Sequence, residues 1–476
     1  MSDIPAQPQI GSIPAAAGIW RSAHRWLTIG LILTVTAAAF EALAVATTLP
    51  ATVRDLGGLA LYGWVFSAFM LTNLIGITLA GAEADRRGPA RPFLIAIILF
   101  TAGLALAGLA PTMGVLIFGR AVQGFGAGGI SSVAYVAIGR GYPESARPRM
   151  LAVLSSAWVV PGLIGPALAG LVVDHIGWRW VFLGLVPFPL IALTLALPAL
   201  RALNTDSAAA ADWRRPITAV RLAVGAGLFM AGLGQSWLPV AALLLVLGAV
   251  LAWPALRQLL PQGTFRLERG LPAAVATAGL LNLAFFGVDA FVPLALTVGR
   301  GQSATVAGIA LTAATIFWTA GSWVQAHVAQ QQSRRRVTSI GLILIADGIA
   351  GAIAALAPTV PVVVVPIAWG VAGLGMGLAY SAISLAVLET ASAGQEGVAT
   401  AAMQLANVLS IALGTGLGGV LIAASNARTG ATTAGLLAQS LLMIGVIVAA
   451  LLTALRLPGR PALNDAQPVQ EQPTTA

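Results

Sequence analysis

Four ionisable residues stand where an apolar chain tolerates them least. Arg120 lies in "IFGRAVQGFGAGG" (117–129), Glu41 in "FEALAVATTLP" (40–50), Asp289 in "FFGVDAFVP" (285–293) and Asp347 in "ILIADGIAG" (343–351). A guanidinium in hydrocarbon costs about 3 kcal/mol or more, so something must compensate it. Arg120 lies about seven residues, and Glu41 about nine, from the same end of their apolar runs. At 1.5 Å per residue these positions are roughly 10 and 13 Å deep, so the two charges can be level. An Arg–Glu pair, direct or through water, would account for the arginine. Asp289 is about eight residues from the end of its run, and Asp347 is near the middle of its own. A carboxyl group in a low-dielectric cavity favours its protonated form, and a nearby arginine favours the ionised form. A group that alternates between the two settings can carry a proton. The order of candidates for this role is Glu41, Asp289, Asp347, with Arg120 as the poising partner. Each acid could equally be a satisfied interhelical hydrogen-bonding group, and the Arg–Glu pair a purely structural one.

Other chemistry is poorly supported. Cysteine is absent, which excludes disulfides, iron–sulfur clusters and thiolate zinc sites. His24, His175 and His327 are scattered, so no metal site is expected. No HExxH, no nucleophile elbow and no paired His and Asp is present. The reading is not an enzyme, with no cofactor and a proton gradient as the energy source.

The elements that position these residues are membrane helices. The 476 residues are 58% hydrophobic and 9% charged, against about 25% charged in soluble domains. Apolar windows of about 20 residues predict an all-α polytopic protein with about 14 spans. They fall near 27–50, 60–82, 92–110, 113–139, 148–173, 179–200, 216–234, 237–256, 271–297, 303–327, 337–357, 360–385, 396–424 and 432–455. The seventh and eighth are divided by little more than "GQSW". The first could pass for a signal peptide, but its length and Glu41 favour a retained span.

Arginine placement orients the chain, since no lysine is present. With the amino terminus inside, the inner loops and helix ends hold most arginines, from Arg21 and Arg25 through Arg140 to Arg456 and Arg460. The outer side holds Arg54, Arg179, Arg300 and Arg428. This positive-inside pattern predicts a multi-pass protein of the cytoplasmic membrane with both termini cytoplasmic. The net charge of +9 is then topological, with membrane lipids as partners and no nucleic acid.

The chain also repeats itself. "RAVQGFGAGG" (120–129) aligns with "WGVAGLGMGL" (369–378), with Trp369 where Arg120 stands, and "GPALAG" (165–170) aligns with "GTGLGG" (414–419). Two six-helix halves with a site between them are a common transporter construction. The expected organisation is a tail over 1–26, a bundle over 27–200, a linker with two extra helices over 201–270, a bundle over 271–456 and a tail over 457–476. Any single glycine here is as well explained by close helix packing.

These motifs resemble the major facilitator superfamily, specifically its 14-helix drug:proton antiporter branch. "GAEADRRG" (81–88) is similar to the family's gating motif, which assigns Gly81, Asp85, Arg86 and Gly88 to an inner gate, with Arg140 as a basic group facing Asp85. Arg120, Gln123, Gly124 and Gly126 match the helix-four arginine motif. Gly165, Pro166 and Gly170 match the antiporter motif, with Pro161 where the family often has glycine. Glu41 and Pro50 match the spacing of the acidic first-helix motif, though the family usually has Asp there. The second-half gating loop, "AQQQSRRR" (329–336), has lost its acid. The resemblance implies a major-facilitator fold of two six-helix bundles with two extra central helices. It implies proton-coupled efflux of a small amphipathic organic substrate by alternating access, with protons as co-substrate and the monomer as the working unit. Alternatives are a dedicated exporter of one endogenous metabolite or lipid, an importer, or a non-transporting scaffold or receptor. Phe285, Phe286, Trp158, Gln404 and Asn407 are candidates to line the cavity, each explicable as ordinary packing.

Overall fold

The structure, a computed structural model, describes residues 22–203, 213–392 and 394–459. Arg21, Arg460 and most of the two expected tails lie outside these residues. Among the described residues, fourteen helices are long and apolar enough to cross a membrane. We number them α1 His24–Leu56, α2 Leu59–Arg87, α3 Ala90–Gly108, α4 Met113–Gly141, α5 Glu144–His175, α6 Arg179–Ala202 and α7 Arg214–Leu233. The rest are α8 Leu238–Leu259, α9 Leu271–Gly299, α10 Ala304–Val328, α11 Arg334–Ala354, α12 Val364–Thr390, α13 Glu396–Thr429 and α14 Thr433–Ala454. Each half is built on glycine seams. A Cβ at Gly124 or Gly128 of α4 would strike the carbonyls of Phe69 or Asn73 of α2. A Cβ at Gly373 or Gly377 of α12 would strike those of Ala314 or Trp318 of α10. Small residues let backbones meet where lipid supplies no hydrophobic drive.

Two spans are interrupted, each four residues before a proline. Pro161 has no N–H to offer the carbonyl of Ala157, and α5 breaks at Ala157–Trp158. Thr36 of α1 donates to the freed oxygen at 3.4 Å. The helix runs on through Pro166, so the interruption precedes "GPALAG" rather than falling within it. Pro293 likewise ends the first part of α9 at Asp289. Asp289 therefore sits at a helix break rather than inside a continuous helix. A short turn and a π-helical stretch, Ala295–Gly299, follow it.

The halves meet at their arginine-poor ends. Tyr62 of α2 donates to Ala290 O of α9 at 3.1 Å, and Ser67 of α2 donates to Ala412 O of α13 at 2.7 Å. On the other flank α5 packs on α10, with Gly170 against Ala304 and Thr305, and Gly308 against Pro166 and Ala167. There the Asp174 carboxylate accepts from the Ala304 and Thr305 amides (3.1 and 2.9 Å) and from the Thr305 hydroxyl (2.6 Å). An acid of one half thus caps a helix of the other. Towards the arginine-rich ends, Tyr135 of α4 and Gln404 of α13 are exposed. The inserted α7 lies along α2 and α13: Leu222 and Ala226 pack with Leu71, Leu74, Leu405 and Leu409. Its neighbour α8 exposes Val246 and Val250.

The Asp174 cap should hold the arginine-poor end closed. Ser303 remains the N-cap of α10, and losing the hydrogen bonds to Asp174 across the seam costs about 1 kcal/mol. Asp174→Ala should therefore raise the population open at that end about fivefold. Pulsed spin-label distances between Ile176 and Val298, both exposed, would show a longer component. An unchanged distribution would refute the latch.

Candidate functional site

Arg120 enters the core from the second turn of α4, and Glu41 meets it from the middle of α1. Both are buried, and the guanidinium Nη1 donates directly to Glu41 Oε1. The arginine also donates to Gln123 Oε1 (2.7 Å) and Val65 O (3.3 Å), and it lies 4.2 Å over the Phe69 ring. Gln123 is one helical turn after Arg120, so the motif spacing itself supplies this third partner. A buried guanidinium so enclosed keeps its charge compensated on several sides. Glu41 Oε2 is buried with no partner among the described residues. One carboxylate oxygen is thus held and the other is free.

The second half holds a neutral counterpart. Trp369, which lies 249 positions after Arg120, donates its indole N–H to Asp289 Oδ1 at 2.8 Å. Trp369 is fully buried and stacks on Phe285, with centroids 5.3 Å apart. Phe285 is buried too, so it backs the wall rather than lining it. Phe286 reaches Trp318, and Trp318 reaches Tyr380. Tyr380, Gln404, Asn407 and Asn282 form one hydrogen-bonded group. Phe286, Gln404 and Asn407 are therefore brought together as expected. Trp158 is not: it stands at the break in α5, half exposed and away from this group.

Asp347 departs from the reading as an embedded acid. It is exposed on α11, among exposed Ile340 and Ile343, remote from Arg120. The face of a membrane helix that turns to lipid is as apolar as the face that turns inward. Helical position alone therefore could not reveal it.

The loop that resembles the family's gating motif closes α2. Gly88 has φ +91°, a backbone conformation that ends the helix and that a side chain would strain. Gly81 faces the Ser132 hydroxyl on α4. Asp85 pairs with Arg140 at 3.6 Å, and Glu83 takes Arg86 (3.3 Å) and Arg87 (3.1 Å). The second half has this pair with the charges exchanged. Arg334 and Glu389, each 249 positions after Asp85 and Arg140, meet at 2.7 Å. The acid missing from "AQQQSRRR" had moved to α12. Asp85 is 77% exposed, so its loss should cost at most about 1 kcal/mol of stability. Asp85→Asn should slow cycling several-fold while leaving equilibrium substrate affinity unchanged; lost affinity with normal turnover would refute the gate.

The antiporter-motif residues form the α5 face at the seam. Gly165 lies against the Phe40 ring, Gly170 against α10, and the Ala167 amide donates to Thr312 of α10 at 3.3 Å. Pro161 and Pro166 are both buried.

A family-wide profile described as Major Facilitator Superfamily matches residues 29–294, more than half of the chain. The chain belongs to the Major Facilitator Superfamily. Its relatives in the superfamily include the multidrug transporter protein MdtP of Bacillus subtilis. The two are 27% identical over 425 residues, covering 86% of this chain and 77% of that one. Multidrug resistance protein 3 of the same organism is 25% identical over 412 residues, covering 84% and 80%. The fold is shared with the xylose transporter XylE from E. coli, at TM-score 0.60 and 14% identity over 90% of this chain and 96% of that one. A POT family transporter solved with 5-aminolevulinic acid gives TM-score 0.67 at 15% identity over 90% and 96%.

Proposed function

We propose that this superfamily member is a proton-driven exporter of small amphipathic organic molecules. It would lie in the cytoplasmic membrane, with the arginine-rich ends and both termini on the cytoplasmic side. The monomer contains the whole seam between the halves and is the working unit. The observation that carries the reading is the buried Glu41–Arg120 pair, with Glu41 Oε2 left free. Protonation there removes the carboxylate charge that Arg120 holds, and deprotonation restores the pair. The site thus has two states that differ in internal attraction, which an alternating seam can expose in turn. The likeness to multidrug transporters supports the cargo class. Asp289, hydrogen-bonded to Trp369, is the second candidate for the proton.

The test is proteoliposomes that enclose a pH-sensitive dye, challenged with cationic, neutral and anionic amphiphiles. Proton movement in response to at least one of them, absent from protein-free vesicles, is the expected result. Transport of an amphiphile without any proton movement would overturn the coupling, and silence across the panel would overturn the cargo class.

A further inference from the structure

Gln404 ends a hydrogen-bond chain whose direction is fixed at its far end. Asn282 Nδ2 donates to Ala278 O (2.8 Å), which can only accept, and to Asn407 Oδ1 (2.9 Å). The Asn407 amide is thereby oriented with its NH₂ outward, and it donates to Gln404 Oε1 (2.9 Å) and the Tyr380 hydroxyl (3.1 Å). Tyr380 in turn donates to Gln404 Oε1 at 3.3 Å. Both donors converge on the Gln404 oxygen, so its NH₂ is the free end. Gln404 is exposed, and its Nε2 makes no hydrogen bond among the described residues.

Tyr135, of the other half, is likewise exposed towards the arginine-rich ends. It is 62% exposed, and its hydroxyl too has no hydrogen-bond partner among the described residues. Trp318, whose ring centroid is 6.2 Å from that of Tyr380, and Phe286 beside it supply flat faces next to the amide group. Among the described residues no carboxylate bonds to these amides; Asp289 reaches the rings only through Trp369 and the buried Phe285.

We propose that Gln404 presents its NH₂ as a donor subsite for planar, uncharged molecules that carry a hydrogen-bond acceptor such as a ring carbonyl. The subsite rests on the export reading for its purpose, but its ligand preference follows from the chain of amides alone. A ligand carbonyl would accept from the Gln404 NH₂ while its ring lies on Trp318. A cation of the same shape could still lie on the ring faces, but at Gln404 it would meet an N–H donor and forgo the hydrogen bond that a ring carbonyl gains. Asn282 and Asn407 are positioning residues that act through the orientation of Gln404.

The two halves of this claim are tested with one isosteric pair of probes, N-methylacridone and N-methylacridinium. They share a tricyclic frame, but only the first is neutral and bears a carbonyl. Binding to the full-length protein in lipid nanodiscs, followed by probe fluorescence with no pH gradient, should favour acridone at least about tenfold. Gln404→Ala should weaken acridone about tenfold, the worth of one buried hydrogen bond to a ligand. Asn407→Asp can only accept, so Gln404 should turn its NH₂ inward and its oxygen out. That variant should lose the preference for acridone or reverse it; because its carboxylate also draws the cation by charge, the deciding readout is that acridone itself binds about tenfold more weakly, as in Gln404→Ala. Should Asn407→Asp fail to yield folded protein, Gln404→Glu supplies the same readout at an exposed position.

Equal or tighter binding of acridinium by the unaltered protein would overturn the proposal, as would unchanged acridone affinity in Gln404→Ala or no binding of either probe. A failure of proton-coupled export is read separately: acridone would still bind, while the dye-loaded vesicles show no proton movement.

Discussion

Glu41→Gln yields a folded protein that no longer moves substrate against a gradient at the expense of protons. Its driven rate should fall by about 100-fold or more, the scale on which a positioned proton-transfer group contributes. The fold should survive because a glutamine oxygen can still accept from Arg120 Nη1 at the Oε1 position. The cost is the weaker hold of a neutral acceptor on a buried cation, about 1–3 kcal/mol. Substrate-for-substrate exchange at equal pH should persist, since it needs no net proton transfer. Arg120→Leu should behave differently. It strands the Glu41 carboxylate in the core, and breaking a buried pair from one side costs about 3–5 kcal/mol. The purified yield of that variant should therefore drop sharply. Both are checked with dye-loaded vesicles for coupling and thermal denaturation in detergent for stability. Uphill transport at the unaltered rate in Glu41→Gln would remove Glu41 from the mechanism.

Gly124→Val should prevent assembly of the first half. The added Cβ would overlap Phe69 O and the Thr72 hydroxyl, and neither the carbonyl nor the helix behind it can yield. Overpacking costs about 1–3 kcal/mol where side chains can adjust, and here the obstacle is backbone. Phe69 also carries the Arg120 guanidinium on its ring, so displacement of α2 would disturb the charged pair as well. Gly373→Val should do the same to the second half against Ala314. Gly139→Ala is the control, because nothing lies within 4 Å of its Cβ. Melting temperature and size-exclusion profile decide the matter: a monodisperse Gly124→Val protein with an unchanged melt would refute the packing account.

The legible part of this molecule was one-dimensional. Apolar run length and arginine placement gave fourteen spans, and counting along helices put Arg120 and Glu41 at one depth. Rotation about each helix was another matter. In water an apolar stripe marks the inward face, but in lipid both faces are apolar, so Asp347 and Phe285 were assigned to the wrong surroundings. Trp318, Tyr380 and Asn282 were missed for the same reason, being ordinary residues until three helices bring them together. The breaks at Ala157 and Ala290 could have been read from Pro161 and Pro293, each four residues beyond a carbonyl left without its donor. Glu389 was overlooked because the second-half ion pair keeps both charges but exchanges the helices that bear them.

The position of α7 makes the two sides of the seam mechanically unlike. On the α2–α13 side, interlocked leucines of three helices and Met230, seated on Gly416, bind the halves together. On the α5–α10 side the contact is made of glycines, threonines and one capping carboxylate. On one flank the halves are joined through a third helix, and on the other backbone rests on backbone, so a substitution that loosens one flank leaves the other intact.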